Sequence, residues 1–304
     1  MPQRPKRLAL CATTAVLALV TASCGSSKSP STSGSGTTPS SAPSASSNKI
    51  AAEVPAAIKA KGTLTVAADA TYAPNEFIAS DGHTVIGMDP DLAQALGAVM
   101  DLKMKVVNAT FDSIIPGLAA GKYDLGISSF GDTKEREKTV DFVTYFQAGT
   151  SFYVKAQGGP SINGLADLCG HKVAVEKGTT QALDVTAQQK KCLAAGKPTV
   201  TLEVYPDQNG ANLAIASGRA DIGMADSPVA AYQVKQSNGQ FKLVGQPYSV
   251  VPYGIAIPKN NGLAQPLLDA MKEIISNGTY LRILKKWGVE AGAISNPQIN
   301  GAVS

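Results

Sequence analysis

The chain has 304 residues, 44% of them hydrophobic and 16% charged, with 27 Lys+Arg against 23 Asp+Glu and a formal net charge of +4. Arg4, Lys6 and Arg7 account for three of the basic residues, which leaves 24 against 23 in the remainder, a net of +1. No basic cluster with interleaved aromatics occurs, which argues against a nucleic-acid partner, and the absence of CxxC or Cys/His ligand spacing argues against a zinc site.

At the N-terminus Arg4, Lys6 and Arg7 precede an apolar run, Leu8 to Val20, that is too short to cross a bilayer as an ordinary helix. Residues 1–23 therefore read as a signal peptide. Thr21-Ala22-Ser23-Cys24 places small residues before a cysteine, as a lipoprotein signal does, and makes Cys24 the expected lipidation site and membrane anchor. Thr21 stands where that pattern prefers Leu, so a plain secretory signal is the alternative. Residues 24–48 are almost all Ser, Thr, Gly, Pro and Ala, with Lys28 as the one charge. Such a segment has too little apolar surface to offset the entropy of ordering it, and is expected to be a disordered tether.

From residue 63 onward strands and helices alternate. Leu64 to Ala68 is a short apolar strand ending at Asp69; Pro90 to Met100 is helical, with Asp89 placed to cap it and Pro90 at the first position. A strand at Lys105 to Val107, a helix from Ser113 to Ala120 stopped by Gly121, and a strand from Tyr123 to Ser128 follow. Thr150 to Val154 is extended. The pattern then restarts: strands at Lys172–Val175, Thr199–Tyr205 and Ile222–Ala225, and helices at Thr180–Ala195, Asn209–Ser217 and Pro228–Gln236. Tyr248 to Tyr253 is extended again, then come a strand at Gly254–Ile257 and helices at Leu263–Ser276 and Tyr280–Trp287. Repeated βαβ character of this kind predicts an α/β protein of two lobes.

Of four cysteines, Cys11 lies in the signal and Cys24 is the lipid candidate. Cys169 and Cys192 remain, an even pair in an exported chain, which argues for a disulfide; two separate buried thiols are the alternative.

The most informative stretch is Ser128-Ser129-Phe130-Gly131-Asp132-Thr133-Lys134-Glu135-Arg136, closed by Val140-Asp141-Phe142. It leaves a buried strand, crosses a hydroxyl-rich loop and puts an arginine at the start of a helix. Hydroxyls, free N–H groups and a guanidinium fork suit a carboxylate. The pattern resembles the Ser-x-Thr-x-x-Arg region of the bacterial extracellular solute-binding proteins of family 3, and the resemblance runs from about Thr63 to Val289. It implies a two-lobed periplasmic-binding-protein-like fold (type II) with lobes joined by two crossover strands. Lobe 1 is then discontinuous, 49–153 and 252–304, and lobe 2 is 154–251.

For a free amino acid, whose two charges both need partners when buried, Arg136 is the candidate for the carboxylate, because lysine cannot reproduce its two parallel N–H bonds. Ser129 and the backbone of Gly131 complete that end; the family usually carries Ser or Thr at the latter position, so only an N–H contact carries over. The resemblance assigns Thr180, in Gly178-Thr179-Thr180-Gln181, a second carboxylate contact, whereas spacing alone makes Thr179 or Thr180 an N-cap. It assigns Asp226 the ammonium, and Tyr72 and Phe111 the aromatic walls. Asp69 either meets a donor on the ligand or only organises its own loop.

The implied function is the substrate-binding component of an ABC importer, a monomer tethered outside the membrane that delivers a polar amino acid to a permease. No cofactor, metal or catalytic residue is expected. The two histidines, His83 and His171, look like surface loop residues, and no nucleophile motif occurs. An exported dehydratase-like enzyme of the same fold and a ligand sensor for a membrane kinase are the alternatives.

Overall fold

The computed structural model describes residues 45–303. The signal peptide expected at 1–23, Cys24 and most of the tether expected at 24–48 lie outside the described residues. In chain order the elements are α1 (Ala45–Glu53), α2 (Ala56–Lys59), β1 (Thr63–Ala68), β2 (Thr71–Tyr72), β3 (Glu76–Ile78), β4 (Val85–Ile86), α3 (Met88–Met100), β5 (Lys103–Asn108), α4 (Phe111–Ala119), β6 (Leu125–Gly126), α5 (Lys134–Glu137) and β7 (Val140–Lys155). Then follow β8 (Lys172–Glu176), α6 (Thr180–Ala194), β9 (Thr201–Tyr205), α7 (Gln208–Ser217), β10 (Ile222–Asp226), α8 (Ser227–Gln236), β11 (Phe241–Pro258), α9 (Ala264–Ser276) and α10 (Thr279–Trp287). No helix among the described residues is long and apolar enough to cross a membrane.

Eight strands form one sheet in the order β5-β1-β6-β11-β7-β10-β8-β9, with β2, β3 and β4 in a small separate sheet. Two strands run through both lobes. β7 and β11 pair antiparallel from Phe241↔Lys155 at one end to Pro258↔Val140 at the other. On one side their far halves carry β6, β1 and β5, the parallel core of lobe 1. On the other, β10, β8 and β9 build lobe 2. The ladder between β7 and β11 shifts register three times between Val244 and Gly254. Interruptions of this kind bend a strand pair locally, which suits a hinge. Gly149 lies at this crossing: a Cβ there would stand 2.7 Å from the Tyr248 carbonyl oxygen, so the two backbones meet only over glycine.

The core has three parts. In lobe 1, α3 and α9 set Leu92 with Leu96 and Leu267 with Met271 on the sheet side, each pair four apart as an amphipathic helix requires, and α10 adds Leu284. In lobe 2, Val173, Val175, Val185, Ile222 and Met224 pack around the bridge between Cys169 and Cys192. A third cluster lines the junction of the lobes, with Tyr72, Phe111 and Phe130 from one side and Tyr153, Ala174 and Ala225 from the other.

Three local expectations change. Ala45 to Asn48, assigned to the tether by composition, are the first turn of α1, because Ile50 further along that helix is buried in the lobe 1 core. Asp89 does not cap α3. Gly87 holds that position with φ +138°, and Asp89 sits inside the first turn, fully buried. The two extended crossovers are far longer than the five or six residues that the hydrophobic pattern marked, since each strand continues into a lobe at both ends.

Candidate functional site

A cavity of about 160 Å³ lies between the lobes where β7 and β11 cross. Seven of the eight residues expected to meet a ligand line it. Tyr72, Phe111, Ser129, Gly131 and Arg136 come from lobe 1. Thr180 and Asp226 come from lobe 2. The eighth, Asp69, is buried behind the wall: its Oδ1 accepts from the Thr71 hydroxyl at 2.6 Å and its Oδ2 from the Phe111 N–H at 2.9 Å.

Thr133 starts the short helix α5, accepting from the Arg136 N–H at 3.3 Å, and so points the arginine at the cleft. The guanidinium lies over two aromatic faces, 5.2 Å from the Phe111 centroid and 5.6 Å from Phe130. Those rings stack on each other at 4.6 Å, with Tyr72 edge-on to Phe111 at 5.8 Å. Nη1 donates to the Gly131 carbonyl at 2.9 Å and Nη2 to the Gly178 carbonyl at 3.1 Å. Burial lowers the Arg136 pKa, and the charge of Asp226 across the cavity opposes that. The Gly131 N–H has no partner among the described residues.

The bond from Arg136 to Gly178 links the lobes, and it is not alone. Lys177 pairs with Asp112 at 2.8 Å, and the Gln208 N–H donates to the Thr71 hydroxyl at 3.3 Å. Gly178 itself has φ +79°, and a Cβ on it would stand 2.9 Å from the Asp112 Cβ. The lobes are therefore closed on each other.

Asp226 ends β10 facing Arg136. Its Oδ1 accepts from Gln181 Nε2 and its Oδ2 from the Tyr253 hydroxyl, both at 2.6 Å. Burial raises its pKa, and those two donors and then Arg136 pull it back down. Two of a carboxylate's roughly four acceptor positions are thus filled from the protein. Thr179, not Thr180, caps α6, accepting from the Ala182 N–H. This leaves Thr180 at the cavity as the first residue of a 15-residue helix, where N–H groups and the helix dipole favour an anion.

Ser129 has φ +50° and is held from behind. Its hydroxyl accepts from Asn75 at 2.9 Å and donates to Glu76 Oε2 at 3.3 Å, while its N–H donates to Asp89 Oδ2 at 3.1 Å. Glu76 and Asp89 are both fully buried, and Asp89 also accepts from the Tyr145 hydroxyl at 2.8 Å. Burial pushes both carboxyls up, Asp89 to about 7 and Glu76 well above its usual range, with each acid beside the other. Two neighbouring buried acids cannot both carry charge, so one proton stays with the pair.

Sequence reading missed Gln181, Tyr253, Glu76 and Asp89, which act through side chains that meet only when distant segments pack. Gln208 also lines the cavity and donates to the Tyr153 hydroxyl at 3.0 Å.

Two lobes on a pair of crossover strands, closed over a cavity with a cation on one wall and an acid on the other, define a binding receptor of the periplasmic type. The family model described as bacterial extracellular solute-binding proteins, family 3, matches residues 64–290, and the chain belongs to that family. It is 35% identical over 253 residues to an arginine-binding protein, ArgT, of Corynebacterium glutamicum, covering 83% of each chain. Two solved structures of an ancestral arginine-binding protein, one bound to arginine and one to glutamine, superpose with a TM-score of 0.68. They are 38% and 39% identical, over 74% and 75% of this chain and 98% and 99% of theirs.

Proposed function

We propose that this chain captures a free polar amino acid outside the cell membrane and hands it to the permease of an ABC importer. Family membership supports the transport role. The single observation that carries the amino-acid reading is the facing of Arg136 and Asp226 across one interlobe cavity, each altering the other's ionisation. A free amino acid needs both a cation and an anion when it is enclosed, because neither of its charges tolerates burial alone.

In this reading Arg136, the Gly131 N–H and Thr180 with the first turn of α6 take the carboxylate. Asp226 takes the ammonium through its two remaining acceptor positions. Tyr72 and Phe111 flank the aliphatic stem. Ser129 supplies the loop conformation that presents Gly131, since its own donors point inward to Glu76 and Asp89. The ligand bonds both lobes, so it favours the closed form, and the register shifts in β7 and β11 allow opening. The assignment of 49–153 and 252–304 to one lobe and 154–251 to the other puts these crossings at the hinge. Lipid on Cys24 and the tether behind it hold the receptor, acting as a monomer, within reach of its permease.

A thermal-shift screen of the purified protein against the common amino acids, followed by calorimetry, tests this. At least one amino acid is expected to raise the melting temperature and bind with one-to-one stoichiometry. Asp226→Asn is expected to bind that ligand far more weakly while melting normally without it. A screen with no hit, or turnover of an added compound in place of retention, refutes the proposal.

A further inference from the structure

The residues after α10 lie beyond the family match, which ends at residue 290, and they run back over the start of β7. Past Pro297 the chain is extended along that strand. The Thr144 N–H donates to the Gln298 carbonyl and the Asn300 N–H to the Phe142 carbonyl, both at 2.9 Å, and Ile299 bridges Val143. The Asn300 side chain repeats the pairing: its Oδ1 accepts from the Phe142 N–H at 2.8 Å and its Nδ2 donates to Asp141 at 3.0 Å. Asn300 has φ +52°, a conformation asparagine tolerates, and a Cβ on Gly301 would stand 2.9 Å from Thr144 Cγ2. Because β10 pairs with β7 only from Thr150 to Val154, this strap covers the edge that the lobe 1 half of β7 would otherwise leave open. Protecting an edge strand is its plain structural use.

Two of its bonds go further than an edge requires. The Gly301 N–H donates to Asp132 Oδ2 at 2.7 Å, and the Ala302 N–H donates to Glu137 Oε1 at 3.2 Å. These two acids bracket α5, the single turn that carries Arg136, and Asp132 follows Gly131 directly. A helix of four residues with no buried side chain does not hold its own shape. The acids also lie beside each other. Burial and the charge of Glu137 push the Asp132 carboxyl up to about 6, and the Gly301 N–H pulls it back down. Lys134 joins Glu137 at 3.0 Å from within the same turn. The loop's other hold comes from the returning crossover, where the Asp132 N–H donates to the Pro252 carbonyl and the Gly254 N–H to the Phe130 carbonyl, both at 2.8 Å. That hold belongs to a strand that bends at the hinge, whereas the strap is attached to lobe 1 alone.

We propose that the strap Gln298–Ala302, acting through Asp132 and Glu137, is a positioning element that sets the Gly131 N–H and the Arg136 guanidinium for a ligand carboxylate. This rests on the carboxylate role given to those two groups above. Neither Asp132 nor the strap touches the ligand in this reading. Their part is to keep both ends of the loop fixed to lobe 1 while β11 flexes, so that an opening cleft keeps its carboxylate pole assembled.

Asp132→Ala removes the acceptor for Gly301 without disturbing the sheet edge. Asp132→Asn keeps an oxygen there and removes the repulsion from Glu137. A third protein ends at Asn296. Calorimetry at pH 7 with L-arginine, L-glutamine and the α-carboxamide of each compares them, since the amides lack only the carboxylate. In Asp132→Ala the amino acids are expected to bind about tenfold more weakly and the amides almost unchanged, so that the preference for the acid shrinks. Asp132→Asn should keep the wild-type preference, and the truncated protein should lose it. A merely structural defect would weaken acid and amide alike and leave their ratio intact. Hydrogen exchange of the ligand-free proteins gives a readout that needs no ligand: amides 132–137 should exchange about tenfold faster in Asp132→Ala, with 172–236 unchanged. If the truncation does not fold, the two Asp132 variants decide. An unchanged acid-to-amide ratio or unchanged exchange in Asp132→Ala overturns the strap's role and leaves the amino-acid reading standing. If no α-amino acid binds the wild type, that reading fails, and the strap's role falls with it.

Discussion

Replacing Arg136 by alanine removes the one side chain that joins the aromatic wall, the Gly131 loop and the opposite lobe. Two of its five N–H groups are committed to the carbonyls of Gly131 and Gly178, which leaves the rest of the fork for a ligand carboxylate. Truncation strands that carboxylate in a cavity whose other charged wall, Asp226, is also negative. Deleting one partner of a desolvated charge pair costs ~2–5 kcal/mol. That range corresponds to a dissociation constant raised about thirtyfold to a few thousandfold. Arg136→Lys keeps the charge but cannot reach two carbonyls and a carboxylate from one point, so its loss should fall between wild type and alanine. Neither variant should melt much below the wild type without ligand, because removing a partly buried cation also removes its desolvation cost. Isothermal calorimetry with the ligand found by screening gives the affinities, and a ligand-free melt supplies the control. Unchanged affinity in a normally folded Arg136→Ala protein would refute the assignment of the carboxylate pole.

Gly178→Ala puts a Cβ within 2.9 Å of Asp112 in the closed form, where overpacking costs ~1–3 kcal/mol; ligand affinity should fall by about tenfold or more, with small-angle scattering showing a more open ligand-free population. Equal affinity would mean that the lobes close without this contact. Glu76→Gln removes an acid whose folded-state pKa lies above its unfolded value. The folded wild type therefore holds more protons than the unfolded chain between about pH 4 and pH 7, and its stability falls as pH rises through that window. The variant's melting temperature should decline less over the same range, and parallel pH profiles would count against the shared proton. Replacing Cys169 and Cys192 together by serine opens a loop of 23 residues and should lower stability by ~3 kcal/mol in chemical denaturation while leaving ligand affinity intact.

Much of the architecture was legible because local rules act on local residues. Leu64 to Ala68, Lys172 to Val175 and Ile222 to Ala225 read as buried strands since parallel strands covered on both faces are continuously apolar. The helices announced themselves by period and by Gly or Pro at their ends. Arg136 and Asp226 stood out as charges at the ends of elements where a closed α/β sheet puts its cleft. The small sheet β2–β4 escaped notice because strands of two or three residues carry no period to detect. Asp89 read as a cap because a helix start with Asp before Pro is ordinarily exposed, and only the packing of Tyr145 and Ser129 onto it makes it a buried acid.

Chain order alone decided that there would be two α/β lobes, an even cysteine pair in the second, and a hydroxyl-rich loop leading to a guanidinium, because propensity, periodicity and turn chemistry operate within a few residues. The tertiary structure decided which charges share a cavity. Asp69 went behind the wall, Tyr253 reached Asp226 from the returning crossover, and Glu76 met Asp89 behind Ser129. Those encounters join segments far apart in sequence, and whether a carboxyl is solvated, paired or protonated depends on the neighbours that folding brings to it.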